Sequence, residues 1–145
     1  MKKKDSAKLL DYSKLKFKVK KTMRYDDVGD YFDDTIVAFD MGNPVYAQGI
    51  MLHEFIEYTL IKSAGIPVDL IDAFDNDPAT SKKHKKEYDL YTKYHRMANN
   101  VEREFIKNMG VAWKDYQKAV YSEKVKIDPK KNKEVTKIAK RWRVK

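Results

Sequence analysis

NPVYAQGIMLHEFIEYTLIKSAG, residues 43–65, is the stretch on which the fold of this 145-residue chain turns. Asn43 suits an N-cap and Pro44 the first helical position. Gly65 suits the left-handed residue that ends a helix. Between them Val45, Ile50, Leu52, Ile56, Leu60 and Ile61 recur at roughly helical spacing, which predicts one helix packed on a core.

At the centre of that helix stands His53-Glu54-Phe55-Ile56-Glu57. Side chains four apart share a helix face, so His53 and Glu57 can grip one metal ion. Glu54 lies one position round, where a carboxylate reaches a coordinated water without binding the ion. The pattern departs from the zinc-protease signature His-Glu-x-x-His by a glutamate in place of the second histidine. Imidazole and carboxylate together suit Zn²⁺, with Fe²⁺, Mn²⁺ or Ni²⁺ as other divalent choices. Alternatives stay open on these residues alone: a capped amphipathic helix with incidental charges, or a metal-free buried His–Glu network.

Downstream, Thr80 or Ser81 is the expected cap of a second long helix, from about Lys82 to Met109 and ended by Gly110. Its stripe Tyr91, Tyr94, His95, Ala98, Val101, Phe105 is largely apolar, and Glu102 falls on the face of His95. Two long helices packed antiparallel bring His53 and His95 together. Glu102 then either completes the ligand set or holds His95 in one tautomer. Four polar groups on two otherwise apolar faces would be costly to bury unpaired, and a shared metal satisfies them together. His84, in Lys82-Lys-His-Lys-Lys86, reads as a surface residue. Asp72, Asp75 and Asp77 read as loop-capping groups, since their spacing is no EF-hand.

Upstream, Leu15-Lys-Phe-Lys-Val-Lys20 alternates strictly, predicting a half-buried edge strand with Leu15, Phe17 and Val19 inward. Asp33–Phe39 is a second strand, and Tyr25–Asp30 reads as a turn between them. The aromatics Tyr25, Tyr31, Tyr46 and Tyr58 read as core and rim. After Gly110 a short helix is expected over Asp115–Tyr121. Residues 124–145 lack a sustained apolar period, although Val135, Ile138, Ala139 and Trp142 allow a marginal helix.

The net charge of +9 is unevenly held. Residues 1–22 carry nine Lys against two Asp, and residues 124–145 ten Lys or Arg against Asp128 and Glu134, leaving the body at −6. Basic ends attract nucleic acid or other polyanions, and Arg141-Trp-Arg143 interleaves cation and aromatic as such a contact does. With no Cys, a disulfide framework and thiolate metal sites are excluded, and a histidine ligand can only be His53, His84 or His95. No apolar run reaches a membrane span and no signal-peptide pattern follows the first lysines, so a soluble cytoplasmic protein without membrane contact is expected.

The order of a short strand, Gly29-Asp-Tyr31, a strand, "LHEFIEYTL…GI", "IDAFD", "YHRMANNVERE" and "MGVAWKDY" resembles a family of small uncharacterised proteins of bacteriophages and mobile elements. That family is written as His-Glu-x-x-Glu, then Gly-Ile, Phe-Asp, His-x-x-Ala-x-x-x-Glu and Leu-Gly-Val-x-Trp-x-x-Tyr. The resemblance covers roughly residues 12–117 and is similar in element order to minimal zincin-like metallopeptidase domains. It implies polar positions at His53, Glu54, Glu57, Asp75, His95 and Glu102, and, for a phage protein, the host cytoplasm.

These lines give one expectation: an α+β, zincin-like domain over residues 12–121, between a basic segment 1–11 and a basic tail 122–145. A short antiparallel sheet precedes two long packed helices and a short C-terminal helix. The expected activity is a Zn²⁺-dependent hydrolase acting on peptide or protein, with metal ligands His53, Glu57, His95 and Glu102 and Glu54 as general base. The strand Leu15–Lys20 would present an extended substrate by edge pairing. Two other readings compete: a non-catalytic phage accessory protein binding a host protein or nucleic acid through its basic ends, and a nucleotide hydrolase with Mg²⁺ on Glu54 and Glu57.

Overall fold

A computed structural model describes residues 9–145 of the chain, and the lysines among residues 1–8 lie outside them. A 3-10 turn, Tyr12–Lys14, leads into β1 (Lys16–Lys20), β2 (Gly29–Phe32) and β3 (Thr35–Phe39). The helices follow: α1 (Pro44–Ser63), α2 (Val68–Asn76), α3 (Pro78–Lys83), α4 (Lys85–Asn108), α5 (Trp113–Ser122) and α6 (Pro129–Val144). The class is α+β, mostly helical.

The sheet is mixed rather than antiparallel, in the order β1-β3-β2. β1 runs parallel to β3, with Lys18 opposite Val37, while β2 is antiparallel to β3. The reason is a third strand inside what reads as a turn. Gly29–Phe32 reverses the chain once and the Asp33-Asp34 hairpin reverses it again, so β3 recovers the direction of β1. Both turn residues hold positive φ, 47° and 56°, as a two-residue hairpin of the favoured twist requires. The Asp34 N–H donates to the Tyr58 hydroxyl (3.1 Å), which fastens the hairpin to α1.

β1 differs from expectation on its apolar face as well. Leu15 meets the core, but Phe17 and Val19 stay 53% and 50% exposed, and among the described residues Phe17 reaches only the rim of α1, 6.2 Å from the Phe55 ring.

Helix α1 has the expected ends. The Asn43 side chain accepts from the N–H groups of Val45 and Tyr46, and Gly65 sits at φ 72° with Ile66 N–H returning to the Ile61 carbonyl. Apolar groups lie on both sides of α1. Tyr58 and Ile61 join one cluster with Ile36, Leu70 and Phe74; Ala47 and Ile50 join another with Val37, Ile106 and Tyr116. A helix buried on two sides carries no clean polar face, and polar residues on it must find partners.

The second long helix starts elsewhere than expected. Asp77-Pro78, the same punctuation as Asn43-Pro44, opens the short α3, and α4 begins only after a kink at His84. His84 is half-buried, its ring edge-on to Trp142, rather than a free surface residue. Asp128-Pro129 repeats the signal a third time and opens α6. The C-terminal tail is therefore a sixteen-residue helix seated on α2 and α3, with Val135 and Ala139 buried and Arg143 paired to Asp77 at 2.6 Å.

One corner of the body rests on Arg24. Its guanidinium bonds Asp30 (2.7 and 2.8 Å) and Asp72 (2.8 and 3.0 Å) and lies 4.0 Å over the Phe32 ring, tying β2 to α2. Arg24→Met leaves two buried carboxylates without a partner and should cost about 3–5 kcal/mol at neutral pH. Urea unfolding at neutral pH measures this. A loss under about 1 kcal/mol would mean that the three groups are not coupled.

Candidate metal centre

Glu57 is the hub of a buried polar cluster built from α1, α4, α5 and β2. Its Oε1 accepts from the Tyr31 hydroxyl at 2.7 Å. Its Oε2 lies 3.0 Å from His53 Nε2, one turn back on α1, and 3.0 Å from His95 Nδ1 on α4. The other nitrogen of His53, Nδ1, is 2.8 Å from Glu102 Oε1, and the second oxygen of Glu102 accepts from the Tyr116 hydroxyl of α5. The pairings 53 with 102 and 57 with 95 make α1 and α4 antiparallel, as expected.

The same antiparallel register corrects one expectation. Glu102 does not hold His95. It meets His53, because the turn of α4 opposite His53 is the one carrying Glu102, seven residues beyond His95. His53, Glu57 and His95 each offer a ligand atom within 4.8 Å of the other two. Tetrahedral zinc with bonds of about 2.0–2.2 Å needs ligand atoms roughly 3.3–3.6 Å apart, so small side-chain shifts would admit an ion. In that arrangement Glu102 fixes the tautomer of His53 from behind, with Nε2 left for the ion.

The electrostatics follow from burial. Burial opposes the charged form of His53, but the carboxylates of Glu102 and Glu57 outweigh it and raise the group to about 11. Burial alone would raise Glu57, yet the bonds from His53 and His95 bring it down to about 2. Without metal, His53 and Glu57 form an ion pair. Glu54 is different: burial first, then the charge of Glu57, hold its carboxyl well above the ordinary value.

Glu54 lines a cavity of about 450 Å³ that opens beside the cluster, and it is only 9% exposed. Among the described residues nothing donates a hydrogen bond to it. Its carboxylate lies against Gly29, where a Cβ would stand 2.2 Å from Glu54 Oε1, so β2 needs glycine at that point for lack of space. β1 contributes nothing to the cavity wall and lies beyond β3 from β2, so its free edge is not beside the site.

The remaining sequence candidates fall outside the cluster. Asp72 serves Arg24, Asp77 caps α3, and Asp75 accepts from the hydroxyls of Tyr25 (2.9 Å) and Tyr91 (2.6 Å) on the cavity wall. Asp72 and Asp75 lie on α2 rather than in a loop. His84 Nε2 is 3.2 Å from the Trp142 carbonyl, in the contact with α6. Sequence reasoning passed over Tyr31 and Tyr116 as partners of the cluster. Both stand in stretches that carry the family resemblance, Gly29-Asp-Tyr31 and Trp113-x-x-Tyr116.

No protein-family model, curated protein or solved structure matches this chain.

The pH dependence of the metal-free protein has two ends. His53, raised from 6.5 to about 11, gives stability that is complete below pH 6.5 and lost as pH climbs through 11. Glu57, lowered from 4.5 to about 2, gives stability that is complete above pH 4.5 and lost as pH falls towards 2. Both describe one ion pair and count once, so the pair's contribution should be level only between the two unfolded values, from about pH 4.5 to 6.5, and should decline steadily on either side. Zn²⁺ must displace the proton on His53 Nε2, so binding should release about one proton or more. Calorimetry in two buffers of different ionisation heat reads that number, and zero release would remove His53 from the ligand set.

Proposed function

We propose that this chain is a zinc-dependent hydrolase of peptide or protein substrates, with the zincin-like plan of strands ahead of a metal-binding helix. His53, Glu57 and His95 hold the ion, Glu102 orients His53, and Glu54 is the general base. The family resemblance to small phage and mobile-element proteins belongs to the same proposal. The observation that carries it is the contrast between the glutamates. Glu57 and Glu102 have both oxygens engaged by donors, whereas Glu54, beside His53 in sequence, meets no donor and opens on the cavity.

When bound, Zn²⁺ polarises a carbonyl and lowers the pKa of a coordinated water towards ~7. The chain supplies the rest. Tyr31 turns Glu57 so that Oε2 faces both histidines, and Glu102 keeps His53 Nε2 free for the ion. Glu54, which faces the cavity without a donor of its own, is placed to take a proton from that water and return it to a leaving amine. The arrangement in which Glu54 and Glu57 share Mg²⁺ is less well supported, because Glu57 is already committed to Tyr31 and the two histidines.

Glu54→Gln should keep Zn²⁺-dependent thermal stability while hydrolysis falls by about 10²-fold or more. Gly29→Ala should act in the same direction by displacing Glu54 without touching a ligand. Turnover by Glu54→Gln equal to wild type, on a substrate the wild type cleaves, would remove Glu54 from the role.

A second reading has its own observation. Lys130, Lys131, Lys133, Lys137 and Lys140 are exposed on α6. Lys20 is lowered by burial and then by the nearby Lys131, so the ends of β1 and α6 share one basic face. Such a face suits a nucleic acid, with the His/Glu cluster kept as structure. Truncation before α6 would cut into the core, so charge reversal is the cleaner variant. Lys130→Glu, Lys131→Glu and Lys137→Glu together should flatten the salt dependence of nucleic-acid binding by up to ~0.9 in log–log slope per lost phosphate contact. An unchanged slope would discard this reading.

A further inference from the structure

We infer that the cavity beside the candidate metal centre receives a cationic group of its ligand, an ammonium or a guanidinium. The inference takes from the hydrolase reading the word substrate, but not the charge preference, which rests on the wall of the cavity itself.

Seven carboxylates face this cavity, and four are spoken for. Asp30 and Asp72 share Arg24, while Glu57 and Glu102 share His53. Asp27, Glu54 and Asp75 remain without a cationic partner. Among the described residues Arg103 is the one Lys or Arg on the wall, and it is directed to the Trp113 ring at 6.0 Å. Glu54 is the decisive member, since it is nine-tenths buried, aimed into the cavity and without a donor. A buried carboxyl in that state is an unmet demand for a donor.

The strain of gathering these groups is visible in their affinities for protons. Withdrawal from bulk water raises Asp75 to about 8, with Asp27 adding to the rise. The same withdrawal raises Asp27 to about 6, with Asp30 and Glu57 adding. Both residues are exposed at the cavity and within reach of a ligand that enters it.

A second metal ion is the poorer occupant. Among the described residues His53, Glu57 and His95 form the one group whose ligand atoms close to within 4.8 Å. Asp27, Glu54 and Asp75 are too far apart to converge on one small ion, but an organic cation with several N–H donors can span them. Tyr25 and Tyr91 flank Asp75 and donate to its two oxygens, which holds that carboxyl in place on the cavity wall. A cation is the occupant that would favour the charged form of these carboxyls, and an anion gains nothing from them.

Two sources carry this chemistry: the amino terminus of a peptide and a basic side chain. The test uses three small probes on the full chain near neutral pH, with and without Zn²⁺, by isothermal calorimetry. Norleucine amide carries only the α-ammonium, N-acetylarginine amide only the guanidinium, and N-acetylnorleucine amide neither. At least one cationic probe should bind about tenfold more tightly than the neutral one. That advantage should shrink in Asp75→Asn and in Asp27→Asn, each checked for a native thermal transition, and the better probe identifies the source. Neutral and cationic probes binding equally, or an advantage untouched by both substitutions, overturns the inference. Cation-selective binding by a protein that cleaves nothing would retain it and sink the hydrolase reading; cleavage without cation preference would do the reverse.

Discussion

A carboxylate set in the middle of a helix that is buried on both sides has to be met by donors from elsewhere in the chain, and Glu57 takes them from three elements. β2 sends the Tyr31 hydroxyl, α1 sends His53 and α4 sends His95. Leaving such a group unmet would cost several kcal/mol, a large share of the stability of a small domain. The register of α4 on α1 and the depth of β2 against α1 are therefore fixed by polar geometry as well as by apolar packing. The outward chain from His53 through Glu102 to Tyr116 extends the same constraint to α5. A cluster satisfied as fully as this one gives a unique arrangement at modest net energy.

Much of this was legible from residues alone, for a definite reason. Capping chemistry and side-chain period are local, so Asn43-Pro44 and Gly65 delimit α1 without reference to the rest of the chain. The meeting of His53 with His95 was legible because each histidine lies on the apolar stripe of a long helix, and two such stripes are buried by packing against each other. What was not legible depended on register and on partners distant in sequence. A slip of one turn decides whether Glu102 meets His95 or His53, and no periodicity encodes that turn. Tyr31 has the pattern of a core aromatic, and only the position of β2 against α1 gives its hydroxyl a carboxylate.

The sheet and the tail teach the complementary lesson. Gly29–Phe32 carries glycine and aspartate, poor strand formers, and pairs because the hairpin and the Arg24 corner hold it there. Tertiary context overrides propensity, and with it the sheet changes from antiparallel to mixed. The tail has a weak apolar period of four residues, yet the Asp128-Pro129 start and the surface of α2 are enough to seat a helix. The basic charge that seemed to hang at the end of the chain is thereby held against the body, close to the lysines of β1. Charge division along the sequence survives as charge division in space, with an acidic cavity in one region and a lysine-rich face in another.

The contact of residues 127–132 with the Arg24 corner has a consequence in time. Met23 bridges to Ile127, and the Asn132 side chain donates to the Arg24 carbonyl across 108 residues of sequence. Every residue of the polar cluster, from Tyr31 to Tyr116, leaves the ribosome before those partners do. Contacts of such long separation are the slow ones to close. α6, tied to Arg24 across 108 residues of sequence, is a clasp whose closing is slow for its chain separation alone.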